Sequence, residues 1–218
     1  MVIKFINKLF VPFFMVLDNL YEIIRKISGQ KYKGIIIIGP PGAGKDTQAD
    51  LLQPYGYFNF SSGQMFSDLD RSTDIGNKVA SIIDEGDLVP DDLTIKLFLQ
   101  TLRNYIRDGD YNPRSETLVL NGIPRTVEQV EPVREIVDVL QIIYLQVSRD
   151  ICAARIAERY REQGRPEDAP NLFDKRYFDF MELTFPILDN YIPVVIPGRG
   201  TKQEVHEKIK EALNIHQA

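Results

Sequence analysis

Residues 34–47 read GIIIIGPPGAGKDT, a run of four isoleucines that leads directly into a loop of glycine and proline. The run Ile35–Ile38 predicts a parallel strand that is buried on both faces, because such strands are apolar without alternation. The glycines favour a turn in which backbone N–H groups surround an anion, and the next helix adds the positive end of its dipole. The spacing of Gly39, Gly44 and Lys45 therefore indicates a phosphate-binding loop for a nucleoside triphosphate, with Lys45 reaching the outer phosphates.

Strand-like and helix-like stretches alternate after this loop. Short apolar runs predict further strands at Leu118–Leu120, Ile142–Leu145 and Val194–Ile196. Helical patterns lie at Asp91–Arg107, Val127–Val139, Arg149–Arg161 and Gln203–Leu213. This alternation predicts an α/β protein with a doubly wound parallel sheet. Ligands of such sheets bind at the carboxyl ends of the strands, so the site is expected there.

Composition limits the partners and the chemistry. The 218 residues suit one α/β domain with small insertions. The formal net charge of −5 argues against a nucleic-acid partner, because such binders carry an excess of Lys and Arg. Cys152 is the only cysteine, which excludes a disulfide within the chain and a cysteine-based zinc site. We expect Cys152 to be buried and assign no chemistry to His206 or His216.

The first 32 residues differ from the rest and are predicted to be an N-terminal amphipathic extension before an enzyme domain at 33–218. Their apolar residues recur at steps of three and four, as on one face of a helix: Ile6, Leu9, Phe13, Val16, Leu20, Ile23 and Ile27. The stretch Leu9–Leu17 is too short to span a bilayer, so no transmembrane span is expected. Three interpretations stay open: a helix docked on the protein, a helix that binds a membrane surface or a partner, and a start codon placed too early.

Further motifs follow the loop in order. Residues 60–66 read FSSGQMF, residues 86–91 read GDLVPD, and residues 120–126 read LNGIPRT, with Gln129 one helical turn after Arg125. A set of arginines comes later in the chain, namely Arg155, Arg159, Arg165 and Arg176. Arg155 and Arg159 are four residues apart and share one helical face.

Together with the loop and its continuation Gln48-Ala49, these motifs resemble the adenylate kinase family, whose loop reads Gly-x-Pro-Gly-x-Gly-Lys-Gly-Thr-Gln. The resemblance runs from Gly34 to the C-terminus. It implies a fold of the P-loop nucleoside monophosphate kinase type, with a helical acceptor-binding insertion at about 61–90 and a short lid at about 160–170. It also implies reversible transfer from MgATP to AMP giving two ADP, by a monomer in the cytoplasm.

The resemblance implies a role for each matching residue. ATP would be bound by Gly42, Ala43, Gly44, Lys45, Asp46, Thr47, Arg155, Arg159 and Gly200. AMP would be bound by Ser62, Gly63, Arg71, Leu88, Val89, Gly122, Arg125, Gln129, Arg165 and Arg176. The catalytic set would be Lys45, Arg125, Arg155, Arg159, Arg165 and Arg176. Gln129 would recognise adenine, since its amide both donates and accepts hydrogen bonds.

Three positions depart from the family pattern. Asp46 replaces a glycine, Asn121 replaces an aspartate that helps to organise Mg²⁺ through water, and Ser67 replaces an arginine. Asp46, Thr47 and Asn121 are the candidate Mg²⁺ residues, mostly through water, and we hypothesise that Asp46 returns the carboxylate lost at position 121. Arg71 would replace the arginine lost at position 67 if the helix through Ser67 continues. Two other functions stay open: a UMP/CMP kinase, which also has a short lid, and a nucleotide-binding module of this fold with weakened catalysis.

Overall fold

The computed structural model describes residues 31–215, so nearly all of the predicted N-terminal extension, and His216, lie outside the described residues. The described strands are β1 (Tyr32–Ile38), β2 (Tyr57–Ser61), β3 (Thr117–Asn121), β4 (Val137–Gln146) and β5 (Val194–Pro197). The described α-helices are α1 (Lys45–Leu52), α2 (Ser62–Ser67), α3 (Asp74–Asp84), α4 (Asp91–Asp108), α5 (Val130–Ile136), α6 (Arg149–Gln163), α7 (Phe173–Asp179) and α8 (Lys202–Ala212).

The strands form one five-stranded sheet in the order β2-β3-β1-β4-β5. β3 runs parallel to both β1 and β2, and β5 runs parallel to β4. The chain passes from β1 to one edge of the sheet and later crosses to the other side of β1. The predicted doubly wound α/β sheet is thereby confirmed, and the change of direction beside β1 is where such folds bind ligands.

The isoleucine run lies at the centre of the core. Ile35, Ile36, Ile37 and Ile38 are each at most 2% exposed, as the unbroken apolar pattern predicts. Ile35 and Ile37 share one apolar cluster with residues of α1, α6 and α8, including Cys152. Cys152 is fully buried and free, as expected. Burial of each such side chain contributes about 1.5–3 kcal/mol, so β1 is fixed firmly beneath the loop that follows it.

Two elements differ from the sequence-based expectation. β2 was not predicted, because its sequence YFNFS is short and carries a polar residue at its centre. The helix expected over Val127–Val139 is a 3₁₀ turn at Val127–Gln129 followed by α5, which ends at Ile136. Val137 already has extended backbone angles and begins β4, where β-branched residues such as Val137 and Val139 are readily accommodated. The other predicted helices are confirmed within two residues at each end. Each predicted strand lies inside an observed one, although β4 begins at Val137, well before the predicted Ile142.

Within residues 31–215, no helix has the length and apolar character needed to cross a membrane.

Candidate active site

An open cleft of about 800 Å³ lies where β1, β2 and β3 end. Ile38, Ser61 and Asn121, which stand at the carboxyl ends of these three strands, all line it. Segments from the turn before α4 and from the second half of α6 form other parts of its wall. The cleft thus occupies the place that the strand order predicts.

The glycine-rich loop between β1 and α1 has a shape that requires glycine at two positions. Gly42 and Gly44 have φ angles of +83° and +96°, which side chains rarely adopt. A Cβ atom at Gly42 would lie 2.6 Å from the carbonyl oxygen of Cys152. α1 begins immediately afterwards at Lys45, so the positive end of its dipole faces the loop. This arrangement is suited to binding an anion.

Lys45 stands among several arginines. Its ammonium group donates hydrogen bonds to the carbonyl oxygens of Gly39 at 2.7 Å and Pro40 at 3.1 Å. Desolvation is the main cause that lowers the pKa of Lys45 to about 8. Asp46 opposes this shift, whereas the guanidinium groups of nearby arginines, among them Arg125, add to it. A site in which cations lower one another's pKa favours a bound polyanion.

Arg125 belongs to the same cationic group. Burial is again the first cause that lowers its pKa, to about 10, followed by the charge of Arg176. The Nε atom of Arg125 donates to the carbonyl oxygen of Gly122 at 2.9 Å, which fixes the plane of the guanidinium. Its terminal nitrogen Nη2 lies 3.4 Å from the hydroxyl of Ser62. That hydroxyl in turn donates to the carbonyl oxygen of Gly122 at 2.8 Å.

Asp168 forms ion pairs with two other arginines of the cleft. Its carboxylate is fully buried and accepts two hydrogen bonds from Arg159, at 2.5 and 2.7 Å. Arg176 donates to the same carboxylate at 2.8 Å and to the carbonyl oxygen of Glu167 at 2.7 Å. Burial alone would raise the pKa of Asp168, but the two guanidinium groups lower it below its ordinary value. Both arginines are therefore held in fixed orientations beside Lys45.

Arg155 lies against the phosphate-loop segment itself. Its Nη1 atom donates to the carbonyl oxygens of Gly42 at 3.4 Å and Ala43 at 3.3 Å. Its Nη2 atom donates to the carbonyl oxygen of Gly198 at 3.1 Å. Arg155 thus connects the loop after β1 with the segment after β5.

Gln129 is held by a carboxylate from a distant part of the chain. It is 2% exposed, and its Nε2 atom donates to Asp91 at 2.6 Å. Its Oε1 atom accepts from the backbone N–H of Arg125 at 2.8 Å. Asp91 also accepts from the hydroxyl of Thr126 at 3.0 Å. A carboxylate can only accept hydrogen bonds, so the amide nitrogen of Gln129 must face Asp91 and its amide oxygen must face the other way.

The candidate magnesium residues also lie together. Asn121 is 3% exposed, and its amide nitrogen donates to Asp46 Oδ1 at 2.8 Å. Asp46, Thr47 and Asn121 all line the cleft and offer carboxylate, hydroxyl and amide oxygens, the donors that Mg²⁺ prefers. Residues 31–215 contain no group of three or more His, Cys, Asp or Glu side chains arranged to hold a metal. The donor set therefore fits an ion that is bound mainly by water and by a ligand's phosphates.

Comparisons with known proteins agree with this geometry. A family model described as adenylate kinase matches residues 37–194. The adenylate kinase of Thermus thermophilus is 31% identical over 194 residues, which cover 84% of this chain and 98% of that protein. The adenylate kinase of Leifsonia xyli is 34% identical over 190 residues, which cover 82% of this chain and 92% of that protein.

This chain belongs to the adenylate kinase family. The family and the enzyme class predicted from the motifs, a nucleoside monophosphate kinase, are thereby confirmed.

Most residues to which the adenylate kinase resemblance assigns a role line this cleft. They are Gly42, Gly44, Lys45, Asp46, Thr47, Ser62, Gly63, Leu88, Val89, Asn121, Gly122, Arg125, Gln129, Arg155, Arg159, Arg165 and Arg176. Ala43, Arg71 and Gly200, which the structure also describes, are not among the residues that line it. Ala43 has a buried side chain, and its hydrogen bonds to Pro40 and Arg155 are made by its backbone N–H and carbonyl oxygen. Gly200 precedes α8, where an added Cβ atom would meet Glu204, so cleft geometry does not support its predicted ATP contact.

Arg71 does not replace the arginine that adenylate kinases carry at the position of Ser67. The expectation required the helix through Ser67 to continue, but α2 ends at that residue. Arg71 instead pairs with Asp84 at 3.3 Å, and its side chain is 64% exposed. The hydroxyl of Ser67 donates to the carbonyl oxygen of Gly63. The position of Arg71 therefore does not support its predicted contact with AMP.

Sequence reasoning missed Asp91 and Asp168 as site residues. Asp91 ends the GDLVPD motif and Asp168 falls within the predicted lid at about 160–170, but neither pattern assigns a role to the acidic side chain. Each contacts residues that the adenylate kinase motifs do single out. The one available signal was an acidic residue inside a motif rich in functional residues, and that signal does not show which cation or amide it holds.

Proposed function

We propose that this chain catalyses the reversible transfer of the γ-phosphoryl group of MgATP to AMP, giving two ADP. The observation that carries the proposal is the cationic group of Lys45, Arg125, Arg159 and Arg176, which lines the same cleft as the phosphate-binding loop. Positioned cations stabilise the charge that develops on a transferring phosphoryl group, and this is the main source of catalysis in phosphoryl transfer.

On the donor side, the loop Gly42–Thr47 would bind the phosphates of ATP. Its backbone shape and the start of α1 favour an anion, and Lys45 would leave the carbonyl oxygens of Gly39 and Pro40 to reach the outer phosphates. Arg155, which also lines the cleft, holds the loop by donating hydrogen bonds to the carbonyl oxygens of Gly42 and Ala43. Mg²⁺ bound with ATP would neutralise charge on the outer phosphate oxygens, with Asp46, Thr47 and Asn121 as its nearest protein groups.

On the acceptor side, Ser62, Arg125 and Gln129 would bind AMP, with Leu88 and Val89 against the base. Arg125 is already oriented by Gly122, so little side-chain freedom is lost when it binds a phosphate. The fixed amide of Gln129 suits adenine, whose edge offers both a donor and an acceptor. Residues 61–90 would form the acceptor-binding insertion of a domain at 33–218.

Transfer would need no covalent intermediate, because positioning and charge stabilisation are sufficient for this chemistry. Arg159, Arg165 and Arg176 come from the lid at about 160–170 and its flanks. Closure of the lid would exclude water, so that AMP rather than water accepts the phosphoryl group. A monomer in the cytoplasm stays the expectation from the family resemblance.

A nucleotide-binding module with weakened catalysis is the second candidate, because Ser67 and Asn121 depart from the family pattern and Arg71 does not compensate at position 67. Steady-state assays of the purified protein with MgATP and AMP, UMP, CMP or GMP separate the candidates. We expect the highest kcat/KM with AMP. Preference for UMP or CMP would contradict the acceptor assignment, and binding of ATP without turnover of any acceptor would favour the module.

Replacing Gln129 by leucine tests the acceptor site. We expect Gln129→Leu to raise the KM for AMP roughly tenfold to a hundredfold and to leave the KM for ATP nearly unchanged, because the site loses the amide that pairs with adenine. The backbone N–H of Arg125 also loses its partner, so the free energy of unfolding should fall by about 1–3 kcal/mol.

Gln203→Leu, at an exposed position of α8, is the matched control and should change neither KM. An unchanged KM for AMP in the Gln129 variant would refute the assignment of this residue as the adenine contact.

A further inference from the structure

Two departures from the adenylate kinase pattern, Asp46 and Asn121, touch each other. They are 75 positions apart in sequence, and their side chains meet at 2.8 Å. Asn121 lies at the end of the central strands, where it pairs in register with Ile37 of β1 and with Ser61 of β2. Asp46 lies in the first turn of α1, directly after the lysine of the loop. The contact therefore joins the floor of the cleft to the helix that begins at the phosphate loop.

The direction of this hydrogen bond is fixed by chemistry. A carboxylate has no proton to donate, so the nitrogen of Asn121 must face Asp46. The hydroxyl of Ser61 also donates to Oδ1 of Asp46, at 3.4 Å. Among the residues that the structure describes, the other carboxylate oxygen, Oδ2, has no hydrogen-bond partner. Hydrogen bonds thus hold Asp46 through its Oδ1 atom, and its Oδ2 atom is available to a ligand.

An exposed carboxylate at this place is unfavourable for a site that binds only polyphosphate. Like charges repel at short distance unless a cation lies between them. An aspartate in the first turn of a helix is favoured by the dipole, but that effect requires neither a buried asparagine nor a contact with it. The pair carries one negative charge, the same as the Gly and Asp that the family pattern has at these two positions.

We infer that Asp46 supplies the carboxylate that directs Mg²⁺ to bound ATP and that Asn121 is the positioning residue that orients it. Compared with the family pattern, the carboxylate lies on α1 instead of at the end of β3, and the amide of Asn121 stands at the position where the family has the carboxylate. This inference rests on the proposed MgATP site and names the residues that govern its requirement for magnesium.

The reversed pair tests this inference. The variants are Asp46→Asn, Asn121→Asp and the double variant, all of which keep side-chain shape. The measurement is the affinity for a non-hydrolysable ATP analogue by calorimetry, with and without Mg²⁺. The readout is the factor by which Mg²⁺ increases affinity, so it does not depend on catalysis.

We expect Asp46→Asn to reduce this factor at least roughly tenfold, because the carboxylate is lost. Asn121→Asp alone brings two acceptors into contact and should weaken binding of the analogue when Mg²⁺ is absent. The double variant restores one carboxylate and one amide, so its factor should return to within about threefold of the original.

Asp50 and Asn59 provide a matched control. Asp50 lies one turn after Asp46 on α1 and lines the same cleft, and the amide nitrogen of Asn59 donates to its Oδ1 atom at 2.8 Å, the distance of the Asn121–Asp46 contact. Asp50→Asn should leave the magnesium factor unchanged. Equal factors in the original protein and Asp46→Asn, or a double variant no better than the single variants, would overturn the inference. If the original protein does not bind the analogue at all, the proposed function fails instead.

Discussion

Lys45→Met should lower kcat/KM for ATP roughly a thousandfold, because a cation that stabilises the transferring phosphoryl group is removed from a preorganised site. The fold should persist, since within residues 31–215 the hydrogen bonds of the Lys45 ammonium group go to carbonyl oxygens of its own loop. Its removal also relieves the repulsion between its ammonium group and the nearby arginines that lower its pKa. We therefore expect the melting temperature of the free protein to stay the same or rise. The increase in melting temperature that we expect ATP to cause in the original protein should be lost in the Lys45→Met variant.

Lys33→Met is the matched control for this variant. Lys33 is an exposed lysine of β1, and its replacement should leave turnover and the response to ATP unchanged. Assays of phosphoryl transfer and thermal unfolding with and without ATP give both readouts. Normal turnover in the Lys45 variant would contradict a kinase site at this loop.

Asp168→Ala should have the second large effect, on stability as well as on catalysis. Asp168 is fully buried between Arg159 and Arg176, and its loss leaves two guanidinium groups without their counter-ion. We expect the free energy of unfolding to fall by about 3 kcal/mol, the lower part of the range for broken buried ion pairs, because both arginines are partly exposed. The kcat should also fall, since both arginines lose their fixed orientation. Urea unfolding and steady-state kinetics measure the two effects.

Asp174→Ala is the matched control for Asp168→Ala. Asp174 pairs with Arg149 on the surface, with both side chains at least half exposed, so its loss should cost less than about 1 kcal/mol. Arg159 and Arg176 lower the pKa of Asp168. The ion pairs of Asp168 should therefore stabilise the protein at pH values above the ordinary aspartate pKa of about 3.9. This stabilisation should be lost as the pH falls from there through the lowered pKa of Asp168. Equal costs for the two replacements would contradict a structural role for Asp168.

The sheet could be predicted because its strongest signals are local. Ile35–Ile38 is buried on both faces, and the glycines after it follow from the backbone shape of the loop. β2 was not predicted because its five residues, with an asparagine at the centre, show no clear alternation of apolar and polar side chains. The end of α5 was missed because Val137 and Val139 fit a helical stripe and a strand equally well, and pairing with neighbouring strands decides between them.

The site could be predicted as a set of residues but not as a network of contacts. The motifs named Lys45, Arg125 and Gln129, all of which line the cleft. The contact between Asp91 and Gln129 joins residues 38 positions apart, and nothing in either motif shows that a carboxylate fixes the amide. Such contacts depend on how segments pack, which periodicity and spacing do not report.

Incubation of the purified protein with Mg²⁺, AMP and ATP labelled in its γ-phosphoryl group is the most direct test of ATP-to-AMP transfer. We expect two ADP for each ATP consumed, with the label in the ADP formed from AMP and no turnover when AMP is omitted. Label that appears in inorganic phosphate at the same rate with and without AMP would contradict this function.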